Sequence, residues 1–204
     1  MLISIVDYGM ANLRSVQKAI EEVGFTAQIV STPQEIEHAD RLILPGVGAF
    51  QDAVATIRQK RFDQPILRHI EQDKPFLGIC LGLQMLFDVG YEDGEHPGLA
   101  VVHGKCVRFD VDKTLNLKVP HMGWNQLQFR NPSPLLAGLS DGCSVYFVHG
   151  YHVVPDDPSV IATTTDYGRP FVSSIRRGNL MATQFHPEKS QTVGLKMLAN
   201  FAKL

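Results

Sequence analysis

The sequence predicts one mixed α/β domain over residues 1–204: a mostly parallel central sheet with helices on both faces, plus a smaller antiparallel β section. Three observations carry this. Apolar runs and helical periods alternate up to residue 80, two of the apolar runs end in glycine-flanked loops, and the second half breaks into short β-type runs divided by turns.

Residues 2–6 form a first strand. Asn12 stands where a helix cap belongs, and Leu13, Val16, Ile20 and Val23 keep the helical period until Gly24 stops it. Residues 25–30 read as a second strand. Thr32-Pro33-Gln34-Glu35 is then a capping box with proline at the first helical position. Arg41-Leu42-Ile43-Leu44 is a buried strand, helical stretches follow near 50–60 and 65–72, and the fourth strand ends at Cys80. Right-handed crossovers between such strands give a parallel sheet covered on both faces. Reactive groups of such a sheet belong at the carboxyl ends of its strands, where both Gly46–Gly48 and Cys80 fall. Beyond residue 100, short strands are expected at 101–111, 126–129, 143–151, 160–165, 171–176 and 180–184, with a last helix near 192–202. Turns such as Asp156-Asp157-Pro158 and Arg177-Gly178-Asn179 join them.

The segment Phe76-Leu77-Gly78-Ile79-Cys80-Leu81-Gly82-Leu83-Gln84 is the most informative stretch. An apolar run stops at Gly-x-Cys-x-Gly, and helix formers follow at once through Phe87. That is the strand, tight turn, helix layout of a nucleophile elbow. It would hold Cys80 in a strained conformation at a helix N-terminus, which favours thiolate over thiol. A cysteine nucleophile needs a base, and the base needs an orienting acid. His186-Pro187-Glu188 offers both, because Pro187 pushes His186 extended and residues two apart in an extended stretch face one side. Gly46-Val47-Gly48, in the loop after the third strand, lets backbone N–H groups converge on an oxyanion. It has neither the Lys-Ser/Thr of a P-loop nor the third glycine of a dinucleotide fingerprint. His149-Gly150-Tyr151-His152 has no Cys/His pair spaced to complete a zinc site, and no metal is expected.

Composition sets limits. Charged residues make up 20% of the chain and the net charge is −2, which gives no nucleic-acid footprint. Cys80, Cys106 and Cys143 are an odd set without paired spacing, and a catalytic thiol must stay reduced, so a cytoplasmic address is expected. Residues 1–6 are apolar but lack a basic leader and meet Asp7, which reads as a strand rather than a signal peptide. No run approaches the ~18 apolar residues of a membrane span.

Gly78-Ile79-Cys80-Leu81-Gly82-Leu83-Gln84 and His186-Pro187-Glu188 match the two signatures of class I (triad-type) glutamine amidotransferases, and the chain resembles that family over nearly its whole length. The resemblance implies that family's flavodoxin-like α/β fold and hydrolysis of the glutamine side-chain amide, with no cofactor. Cys80 would attack the carbonyl, His186 would protonate the departing ammonia, Glu188 would hold His186, and a γ-glutamyl thioester would then be hydrolysed. It also implies oxyanion or substrate contacts at Gly46, Val47, Gly48 and Leu81, with Gln84 and Glu92 on the amino-acid end of glutamine and His149, Gly150 and Tyr151 completing the pocket.

A finer resemblance rests on Asp7-Tyr8-Gly9-Met10-Ala11-Asn12, Pro45-Gly46-Val47-Gly48-Ala49-Phe50 and Pro120-His121-Met122-Gly123-Trp124-Asn125. These look like the glutaminase subunits of imidazole glycerol phosphate synthases, where Ala11 is more often glycine. That implies a heterodimer with the cyclase subunit, which would receive ammonia and make imidazole glycerol phosphate and an aminoimidazole-carboxamide ribonucleotide. His121, Met122 and the single tryptophan, Trp124, would face that partner, with Tyr146 and Lys189 near the ammonia exit. It further implies a free subunit that hydrolyses glutamine poorly, because a glycine-rich oxyanion loop can rest with one N–H turned away. Glutaminases of anthranilate or pyridoxal phosphate synthases, a γ-glutamyl peptidase on the same triad and a non-catalytic module are the competing readings. Neither of those glutaminases is expected to carry Pro-His-Met-Gly-Trp-Asn.

Overall fold

The computed structural model describes residues 2–110 and 117–204. In chain order, the first half consists of β1 (Leu2–Val6), α1 (Leu13–Glu22), β2 (Thr26–Val30), α2 (Pro33–Glu37) and β3 (Leu42–Gly46). Next come α3 (Phe50–Gln59), α4 (Asp63–Glu71), β4 (Phe76–Cys80), α5 (Leu81–Gln84) and β5 (Phe87–Gly90). The second half holds β6 (His96–Pro97), β7 (Val102–Arg108), β8 (His121–Gln126), β9 (Gln128–Phe129), β10 (Ser144–His149) and β11 (Tyr151–Pro155). It ends with β12 (Ile161–Asp166), β13 (Pro170–Arg177), β14 (Leu180–Thr183) and α6 (Gln191–Ala202).

The large sheet runs β2-β1-β3-β4-β14-β13-β11-β7-β5-β6, with β12 on β13 and β9 on β12. Its first five strands are parallel, and β14-β13-β11-β7 continue it antiparallel. β8 and β10 make a separate antiparallel ribbon. Helices cover both faces of the parallel part, as two apolar clusters show. One packs Ile36, Phe50, Val54, Ile57, Ile66 and Ile70 of α2, α3 and α4 against Val6, Leu42 and Leu44. The other packs Val16 and Ile20 of α1 with Met197, Leu198 and Phe201 of α6 against Ile3, Ile5 and Ile43.

Several local readings hold in detail. Thr32 accepts from the Glu35 N–H at 3.3 Å while Glu35 Oε2 accepts from the Thr32 N–H at 3.0 Å, which closes the capping box. Asn12 occupies the cap position of α1 but makes no side-chain cap bond.

Others are corrected. The helix after Cys80 lasts one turn, and Phe87 starts a strand because its fully buried ring completes the sheet beside Val102. The expected strand at 143–151 breaks at Gly150 into β10 and β11, which belong to different sheets. Residues 121–126 form a strand that the sequence reading did not assign, because β10 pairs with them along their whole length. The strand at 126–129 shrinks to β9, and the strand at 101–111 ends at Arg108, position 111 lying outside the described residues. Short β5 and β6 gave no period in the sequence.

Candidate active site

Two strand ends build the site. β3 and β4 pair in register so that Gly46 lies beside Cys80, which brings the glycine loop and the elbow together. Cys80 has φ +55° and ψ −106°, a left-handed conformation that costs a residue with a Cβ about 1–3 kcal/mol and persists only when its surroundings impose it. The flanking glycines let the surroundings close in tightly enough to impose it. A Cβ on Gly78 would stand 2.8 Å from the Gly82 carbonyl oxygen, and one on Gly82 would strike the carbonyl of Leu44. Because α5 is a single turn, its dipole is small, and the charge that faces Cys80 belongs to a neighbouring cation rather than to a helix N-terminus.

His186 is that cation. Its backbone is extended (φ −101°, ψ 97°) as Pro187 demands. Glu188 comes alongside not by strand alternation but through a tight 3-10 turn over Pro187–Lys189. The Nδ1–H of His186 donates to Glu188 Oε1 at 2.8 Å, and both side chains are almost wholly buried. Burial would lower the pKa of His186, but the Cys80 sulfur and the Glu188 carboxylate outweigh it and raise the value to about 10. His186 therefore stays protonated at neutral pH, facing the Cys80 sulfur.

Cys80 and His186 open into one cleft of about 380 Å³. Val47, Gly48, Leu81 and Gln84 line it, as do Glu92 and the His149-Gly150-Tyr151 segment. Gly46 lies behind the cleft, lining a small cavity between Val47, His186 and Glu188. Glu92 is steadied by the start of α3, where its Oε2 accepts from the Phe50 N–H at 2.6 Å. Gln84 donates to the Tyr151 carbonyl at 3.2 Å. The Val47 N–H, expected to serve an oxyanion, donates to the Met10 carbonyl at 2.9 Å and is committed to that bond in this structure.

The remaining positions divide. Met122 and Trp124 stand on the outer face of β8, 63% and 49% exposed, beside a cleft whose rim holds the exposed Val47. Tyr146 meets Trp124 edge-on at 6.0 Å, and Lys189 is exposed on its turn. His121 points the other way and is buried, stacked on Tyr167 at 4.0 Å, so it is not part of that outer face. His149 and His152 do not oppose each other as one continuous strand would require. The break at Gly150 lets both pack on Phe109. Among the described residues, no group of three or more His, Cys, Asp or Glu side chains is placed to hold a metal ion.

The family model described as "Glutamine amidotransferase class-I" matches residues 4–204. The chain belongs to the class I glutamine amidotransferases. Similar proteins include "Imidazole glycerol phosphate synthase subunit HisH" of Syntrophotalea carbinolica, 54% identical over 100% of both chains. Proteins of the same name from Aquifex aeolicus and Rhodopirellula baltica are 54% and 55% identical over 98% of this chain and 95% and 97% of theirs. Among solved structures, "Structure of PurLQS from Thermotoga maritima" aligns with TM-score 0.76 at 18% identity, over 99% of this chain and 97% of that one.

Sequence reasoning assigned no role to Gln184 or Ser190, and it did not link His149 to His121, yet this amidotransferase brings all of them into the hydrogen bonding around the site. Gln184, wholly buried, follows Thr183, which pairs with Ile79, and so ends up level with the nucleophile. Its Nε2 donates to Cys80 Sγ at 3.7 Å, and its Oε1 accepts from Gln84 at 3.2 Å. A polar residue closing an apolar strand two positions before His186 was the available signal. Ser190 donates to the His186 carbonyl at 2.7 Å and accepts from the Tyr146 N–H at 2.9 Å, tying the turn of the base to β10.

The third is a histidine relay. His149 Nδ1–H donates to the Tyr151 carbonyl at 2.7 Å, which leaves Nε2 to accept from His121 Nδ1–H at 3.2 Å. His121 Nε2 then accepts from Asn125 at 3.4 Å. Burial pushes His149 down to about 3 and His121 to about 4, so both stay neutral and the direction of donation holds. No spacing rule in the sequence announces it.

Proposed function

We propose that this chain is the glutaminase subunit of an imidazole glycerol phosphate synthase. The observation that carries the reading is the buried Cys80, His186 and Glu188 set at one cleft, in a chain 54% identical from end to end to a protein bearing that name. Cys80 Sγ attacks the side-chain carbonyl carbon of glutamine, and the negative charge moves to the carbonyl oxygen. As the tetrahedral intermediate collapses, His186 gives its proton to the leaving nitrogen and ammonia departs. The γ-glutamyl thioester left on Cys80 is attacked by a water whose proton His186 removes, and glutamate is released as the thiolate re-forms. Gln84, Glu92 and the backbone of His149, Gly150 and Tyr151 hold the amino-acid end, with the Glu92 carboxylate suited to the α-ammonium group.

The N–H groups of Leu81 and of the Gly46-Val47-Gly48 loop serve the oxyanion. The Val47 N–H must first leave the Met10 carbonyl, and we assign that turn to the docked cyclase subunit. The exposed Met122 and Trp124 are the docking surface, since Met and Trp are enriched in interface cores. Ammonia then passes the Tyr146 and Lys189 side into the partner rather than escaping to water, where most of it would become ammonium. Among the described residues, no helix is long and apolar enough to cross a membrane.

Glu188→Gln tests the base. Losing the carboxylate removes one of the two charges that raise His186, so its pKa falls and its proton is lost at lower pH. The alkaline limb of kcat/KM, expected near pH 10 from the value of about 10 in the native chain, should move to lower pH, with kcat down on the order of 10²–10⁴. An unmoved limb would detach Glu188 from His186. Substrate class is tested by ammonia release: free glutamine should be hydrolysed and γ-glutamyl dipeptides left intact. The reverse pattern would make the chain a γ-glutamyl peptidase.

A further inference from the structure

The phenol of Tyr8 has no use in the resting fold. Its ring is packed inside the core, and among the described residues its hydroxyl has no hydrogen-bond partner. Burying an unpartnered hydroxyl gives up its bonds to water for nothing, and phenylalanine would fill the same space without that loss. The oxygen lies against Gly46, so near that a Cβ on the glycine would strike it. Burial, and beyond it negative charge on Cys80, hold the phenol well above its usual ionisation range, so it is a neutral O–H donor at every working pH.

The peptide between Gly46 and Val47 decides what that donor is for. Across a trans peptide the N–H and C=O point opposite ways. In the resting structure the N–H is held by the Met10 carbonyl at 2.9 Å. Turning it toward the cleft swings the Gly46 carbonyl away from its present side, into protein where an unpaired carbonyl is unfavourable. We propose that the Tyr8 hydroxyl receives the Gly46 carbonyl when this peptide turns, which makes Tyr8 a positioning residue for the competent oxyanion loop. A hydrogen bond made in the turned state alone favours that state over the resting one. The inference rests on the reading above that the loop must turn before catalysis.

Tyr8→Phe in the complex with the cyclase subunit and its nucleotide tests it. Saturating glutaminase turnover should fall about tenfold while KM for glutamine stays within about twofold, because the competent fraction shrinks and the cleft is unchanged. The Tm of the variant should equal or exceed that of the native chain. A kcat within about twofold of native would overturn the proposal. So would a lowered Tm, which would mean that the hydroxyl is bonded in the resting fold. The underlying reading fails differently: a native chain that hydrolyses glutamine alone as fast as in the complex needs no turn, whatever Tyr8→Phe does.

Discussion

Cys80→Ala is expected to abolish ammonia release from glutamine, with turnover falling by on the order of 10⁴–10⁶, as when the nucleophile of a triad is removed. The loss should be confined to the glutamine half-reaction. With ammonium salt at alkaline pH supplying ammonia directly, the complex carrying Cys80→Ala should still form the cyclase products, which shows that the variant folds and docks. Neither other cysteine can substitute. Cys106 is buried and its thiol is pushed far up by that burial, and Cys143 is raised for the same reason. Cys143→Ala should therefore keep native turnover. Presentation of the sulfur also depends on the strained turn: Cys80 has a positive φ, and the close packing on either side of it leaves no room for a Cβ at Gly78 or Gly82.

The second large effect is dependence on the partner. The Val47 N–H is committed to the Met10 carbonyl, and on the proposed function the isolated chain therefore works with one oxyanion donor fewer. Adding the cyclase subunit with its nucleotide should raise glutamine turnover by about 10²–10³, the range associated with one oxyanion-hole donor. The gain should appear in kcat more than in KM, because the donor meets charge that develops in the transition state. Trp124→Ala should leave the slow rate of the isolated chain unaltered and shift the titration with cyclase to higher concentration, by about 2 kcal/mol of binding if Trp124 is an anchor of the joint. Titrating ammonia release against added cyclase measures both quantities. Stimulation equal in native and Trp124→Ala chains at every cyclase concentration would place the joint elsewhere.

How much was legible followed the physics of each signal. The βα units before Cys80 were readable because short-range rules act there: the capping box at Thr32–Glu35, helical periods in α1 and α3, and glycines that steric contact makes obligatory. The residues gathered in the cleft were readable for a related reason, since turn chemistry places Cys80 and His186 at strand ends. What was missed depends on long-range pairing. Phe87 is a good helix residue locally and becomes a strand because the sheet needs its buried ring. The break at Gly150 is decided by two partner strands, β8 and β7, that claim the chain on either side of it. Gln184, the His121–His149 relay and the Tyr8 hydroxyl act through contacts between residues far apart in sequence, and no spacing encodes those.

The direct measurement is to treat the cyclase complex with a glutamine analogue that carries an electrophile in place of the amide, then map the adduct by peptide mass. The account predicts a single adduct on Cys80, suppressed by excess glutamine and slowed when His186 is replaced by alanine. An adduct on Cys106 or Cys143 with Cys80 untouched, or no adduct at all, would contradict it.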